Sequence, residues 1–152
     1  MDITDKKKET FSAENSEKIT DTIELDSIYS FRADLTADII YRENNNYSWF
    51  AKNNEKGYLS NRKYIADNIV MPEYRELFLQ FTDIKRLKGL LDSGKKLDSI
   101  DYQCNKNGEK KWFKLLIQLE KDGESGNIIA NVFIMDIDKQ KNKELELTVM
   151  AH

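Results

Sequence analysis

Four features of this 152-residue chain carry side chains whose types and spacing could do chemistry: the acids Asp136 and Asp138, the single thiol Cys104, the stretch GLLDSGKK from Gly89 to Lys96, and an aromatic set between Tyr29 and Tyr64. Two acids at i and i+2 can share a proton or hold a cation. Here they sit where an apolar run, 128–137, passes into KQKNKELELTVM, a segment rich in helix formers. That setting favours a helix cap and a negative charge at a helix N-terminus. GLLDSGKK has the outline of a phosphate loop, but such a loop needs Ser or Thr after its Lys and must lead from a strand into a helix. Lys96 fills the hydroxyl position and the segment ends a helical pattern, so it reads as a helix stop and a turn. Cys104 has no partner cysteine and reads as an ordinary thiol rather than a redox centre.

Catalysis lacks its central groups. The sole histidine is His152, no Gly-x-Ser-x-Gly elbow occurs, and no metal-ligand cluster is visible, so nucleophilic, metal-assisted and haem chemistry are not expected. A net charge of -3, from 24 basic and 27 acidic residues, gives no field suited to nucleic acid or an anionic membrane. No apolar run reaches the roughly 18 residues that span a bilayer, and residues 1–14 are polar, so a cytoplasmic segment is expected. The chain has the length of one domain.

The elements that must position these residues follow from periodicity. Tyr29, Phe31 and Ala33 alternate with Ser30 and Arg32, and after a polar turn at 35–38 a second strand returns at 39–42. Helices are predicted at about 60–69, 73–81 and 83–92, the second opening on Pro72. Strands follow at about 97–105, 109–121 and 127–138. In the middle one, Phe113, Leu115, Ile117 and Leu119 form one buried face. A short helix carrying Ile19 and Ile23 is a further expectation. This order gives an α+β fold whose last three strands form an antiparallel meander.

Three segments, in this order, resemble a PAS domain: YIADNIVMPEYR (64–75), with the Pro and Arg of a helix-end motif; DYQCNKNGEKKW (101–112), an Asn-Gly hairpin leading to a Trp-bearing strand; and Asp136-Ile137-Asp138, similar to the Asp-hydrophobic-Thr motif that closes the last strand. The resemblance covers about 27–147 and implies a five-stranded sheet in order 2-1-5-4-3, helices on one face and terminal helical segments. It divides the chain into an arm with a short helix at 1–20, a sensor domain at 21–138 and the start of a signalling helix at 139–152, cut from a longer bacterial protein. The implied function is a non-catalytic sensory module ahead of a covalently linked diguanylate cyclase (GGDEF) or histidine kinase output, working as a homodimer. Asp136, Ile137 and Asp138 would couple the sheet to that helix, with Asp136 as the tie. Cys104 lacks the Asn-Cys-Arg-Phe setting of flavin-binding relatives, so neither flavin nor haem is expected as a cofactor.

An unidentified small molecule remains an expected ligand. Tyr29, Phe31, Tyr41, Trp49, Phe50 and Tyr64 are the pocket candidates, against the plainer reading that these rings fill the core. Trp112 and Leu116 fall on the face opposite Phe113, where either a partner or the N-terminal segment would cover them. The alternative function is therefore a ligand-free dimerisation or protein-interaction module.

Overall fold

The computed structural model describes residues 27–45 and 57–150. Strands β1 (Tyr29–Asp34) and β2 (Ile39–Asn45) form a hairpin, followed by helices α1 (Tyr58–Asn68), α2 (Pro72–Phe81) and α3 (Ile84–Asp92). Strands β3 (Leu97–Lys106), β4 (Glu109–Lys121) and β5 (Ile128–Asp136) come next, and helix α4 (Asp138–Met150) closes the described chain. All neighbours pair antiparallel in the order β2-β1-β5-β4-β3. The predicted helix with Ile19 and Ile23 lies outside the described residues.

Local chemistry explains the boundaries. Asn107 and Gly108 both adopt positive φ, 52° and 89°, between the paired residues Lys106 and Glu109. This is the two-residue hairpin for which Asn-Gly is suited. Pro72 sits in the first turn of α2, and the Asp83 carboxylate accepts the Arg86 N–H at 3.2 Å to cap α3. Helix α1 begins at Gly57 without a side-chain cap of its own; Asp38, in the β1–β2 turn, supplies a carboxylate oxygen 2.9 Å from Leu59 N.

The core lies between one sheet face and the helices. Phe113, Leu115, Ile117 and Leu119 of β4, with Ala130, Val132 and Ile134 of β5, meet Ile65, Phe78, Phe81 and Leu87 from the helices. Strand β5 occupies the sheet centre, and its Ile129 and Phe133, on the other face, are also buried. Edge strand β3 gains backbone bonds from the α1–α2 link, Met71 N to Gln103 O at 2.9 Å and Asn105 N to Ile69 O at 2.8 Å. Those bonds satisfy part of an edge that would otherwise be open.

Candidate functional site

Between α1, α2 and the sheet lies a cavity whose apolar wall is Phe31, Ile65, Phe78, Leu115, Ile117, Val132 and Ile134. Tyr58, Asn61, Arg62 and Thr82 form its polar end. The space open to a water-sized sphere is ≈ 10 Å3, about one water molecule. The polar end is well connected. Tyr58 donates to the Thr82 carbonyl at 2.6 Å, and Thr82 donates in turn to the Phe78 carbonyl at 2.7 Å. Arg62 donates from Nε to Thr82 Oγ1 at 2.8 Å and from Nη2 to the Leu79 carbonyl at 2.6 Å, latching α1 to the end of α2. Burial raises the Tyr58 hydroxyl well above the usual tyrosine range.

The predicted pocket aromatics separate. Phe31 lines the cavity. Tyr29 is fully buried beside it, ring centroids 5.5 Å apart. Its hydroxyl donates to Glu43 Oε2 at 2.9 Å and accepts from Asn61 at 3.2 Å. Burial first, then the Glu43 charge, pushes that hydroxyl far above its ordinary pKa. Tyr64 packs against the core, half-buried, away from the cavity. Tyr41 corrects the expectation: it is 52% exposed, with Arg32 stacked on its ring and hydrogen-bonded to its hydroxyl. The register shift between Arg32 and Ala33 is the reason, since Arg42 pairs with Arg32 and Ile40 with Ala33, leaving Tyr41 as the extra residue of a bulge. Trp49 and Phe50 lie outside the described residues. Asn61, Arg62 and Thr82 carry no sequence signal of this site, because nothing local in the sequence brings the start of α1 to the end of α2.

Two residues past Ile134 of the cavity wall, β5 ends at Asp136 and the chain passes into α4. Asp138 Oδ1 accepts the Trp112 N–H at 3.0 Å, its other oxygen lies 3.5 Å from Lys111 Nζ, and Ile137 N–H donates to the Trp112 carbonyl at 2.9 Å. Asp136 is exposed and, among the described residues, its carboxylate accepts only the local Asp138 N–H, at 2.9 Å. The side-chain tie to β4 is thus Asp138, not Asp136, because Asp138 is the acid whose oxygens reach β4. Lys141, one turn into α4, lies 3.2 Å from Asp101 Oδ2 on β3 and 4.9 Å from the Trp112 ring centroid. Trp112 and Leu116 are half-buried on the outer face, where Leu116 pairs with Phe133.

Cys104 is buried, and burial drives its thiol far above the usual range, which leaves little thiolate at neutral pH. The neighbouring Tyr102 hydroxyl is fully buried beside the Cys104 thiol and, among the described residues, finds no partner of hydrogen-bond geometry. Among the described residues no group of acids, Cys or His is arranged to hold a metal, and no helix is long and apolar enough to cross a membrane.

Neither a family model nor a curated protein sequence matches the chain. Solved structures do. The N-terminal domain of a diguanylate cyclase with PAS/PAC sensor from Marinobacter aquaeolei superimposes with a TM-score of 0.52 at 14% identity, over 74% of this chain and 97% of that one. A sensory box histidine kinase/response regulator from Burkholderia thailandensis gives 0.51 at 12% identity, over 88% of this chain and 95% of that one. The strand order and these likenesses define the fold: the chain has the PAS fold.

Proposed function

We propose that the chain is a non-catalytic sensory or regulatory module that converts a change at the cavity into a change in α4, and through it in a C-terminal diguanylate cyclase or kinase domain. The observation that carries this reading is the direct passage from central strand β5 to α4, with Asp138 fastening the first turn of that helix to β4. A ligand shifts such an equilibrium only by binding one arrangement better than the other. The two similar structures named above come from proteins named as a diguanylate cyclase with PAS/PAC sensor and a sensory box histidine kinase/response regulator, which supports the proposed outputs.

The cavity has room for about one water, so a metabolite fits only if α1 or α2 moves away from the sheet. The first experiment is native mass spectrometry of the freshly purified 152-residue chain with small-molecule extraction, followed by thermal-shift screening. A co-purifying molecule, or one that raises Tm in a concentration-dependent way, supports the sensor.

A second reading, a ligand-free interaction module, draws on the half-buried Trp112 and Leu116 of the outer face. It requires a concentration-dependent homodimer with no ligand response, and substitution of Leu116 by Lys should then shift the chain to a monomer.

A further inference from the structure

Trp112 is touched by two helices that belong to different layers of the molecule. From α2, the Tyr74 ring meets the indole edge-on, with centroids 5.7 Å apart and planes at 72°. From α4, Lys141 Nζ stands 4.9 Å from the indole centroid. The Trp112 backbone is held at the start of the same helix, since its N–H bonds to Asp138 and its carbonyl accepts from Ile137, the residue before the helix.

Tyr74 also stands one helical turn before Phe78, so both side chains lie on one face of α2. Phe78 lines the cavity. The residue before α2 is pinned, because Met71 N–H donates to the Gln103 carbonyl, and Gln103 is the cross-strand partner of Trp112. A displacement of α2 at Phe78 therefore pivots about an anchor beside Trp112, and the Tyr74 ring carries it to the indole.

We infer that Tyr74, Trp112 and Lys141 form a relay that joins α2 to α4 past edge strand β3, without passing through β5. The relay deepens the sensory reading, on which its purpose rests, by assigning positioning residues to the outgoing helix. Its existence is a property of the chain alone and needs no ligand to test.

The test is hydrogen exchange of the whole chain, read at the α4 amides. Tyr74→Ala should speed their exchange about fivefold, the scale of coupling between side chains in contact. Tyr74→Phe, which keeps the ring, should restore the wild-type rate. Leu77→Ala, an exposed α2 position, controls for general loosening of that helix and should leave α4 unchanged. In a Lys141→Met background, Tyr74→Ala should add little, because the relay is already cut. Unchanged α4 exchange in Tyr74→Ala, an equal effect of Leu77→Ala, or full additivity with Lys141→Met overturns the relay. Should indole, added as the cavity probe, alter α4 exchange equally in wild type and Tyr74→Ala, the relay is overturned while the sensory reading stands, since the signal then travels through the sheet.

Discussion

Asp138 holds Trp112 by its backbone: one carboxylate oxygen accepts the Trp112 N–H at 3.0 Å while the other lies 3.5 Å from Lys111 Nζ. A helix on the C-terminal side of the sheet is thereby fixed to the strand next to the one it grows from. The bond is specific in a way a surface ion pair is not, because backbone atoms cannot reorient to solvent as a lysine can. Asp138→Ala should lower stability by about 1–2 kcal/mol, read by urea denaturation, and should speed exchange in α4. Asp138→Asn retains an acceptor and should cost less. Asp136→Ala, removing only the local bond to Asp138 N–H, should fall below the Asp138→Ala effect; the reverse order would return the tie to Asp136.

The Tyr102 hydroxyl gives a prediction of opposite sign. It is fully buried and, among the described residues, without a partner of hydrogen-bond geometry, the weakly polar Cys104 thiol being its neighbour, so its desolvation is poorly offset. Tyr102→Phe keeps the ring contacts with Phe78 and Phe113 and deletes the orphan group. The variant should be as stable as wild type or up to about 1 kcal/mol more stable, which at this size is about 2–4 °C in Tm. A clear loss of stability would reveal a partner for the hydroxyl that the structure does not show.

Alkaline pH should destabilise the protein in two stages. Cys104, Tyr29, Tyr58 and Tyr102 all have raised folded pKa values, burial being the largest cause in each. For a group of this kind the stability is fully present below the unfolded pKa. It is lost as pH rises from there towards the folded value, because the unfolded chain releases its proton first. The loss should begin at about pH 8.5 with the cysteine and steepen near pH 10 with the tyrosines, each ionising group adding about 1.4 kcal/mol per pH unit. Cys104→Ala should remove the first stage from a pH series of urea midpoints and leave the second. An unaltered profile in that variant would mean the thiol ionises as readily folded as unfolded.

Much of the fold was legible because its signals are local. The alternation of Phe113, Leu115, Ile117 and Leu119 named the inner face of β4, and each of the four is at most 2% exposed. Asn107-Gly108 marked a hairpin, and Pro72 a helix start, since both act through their own backbone preferences. The cavity was less legible for equally physical reasons. A bulge of one residue at Tyr41 sends Ile40 inward instead, and aromatic content along β2 cannot reveal such a shift. Arg62 meets Thr82 only because α1 and α2 pack together, a contact between residues about twenty apart that carries no sequence period. The junction acids were visible as a pair, but which of them reaches Trp112 depends on how the chain turns from β5 into α4.

Arg62 is the residue whose removal should separate a built-in switch from a filled core. Its two bonds, to Thr82 Oγ1 and the Leu79 carbonyl, bridge α1 to the end of α2 over the cavity. Arg62→Ala leaves two partly buried acceptors without this donor, which should cost about 1–3 kcal/mol in urea denaturation. If the latch holds the cavity shut, the same variant should also bind a small apolar probe more readily. Indole, added in a thermal-shift titration, should raise Tm more in Arg62→Ala than in wild type, because binding to the folded state stabilises it by mass action. Equal and negligible shifts in both proteins would mean that the space between Phe31, Phe78 and Ile134 stays packed once the latch is gone. The cavity would then be a packing defect, and the interaction-module reading would take precedence over the sensor.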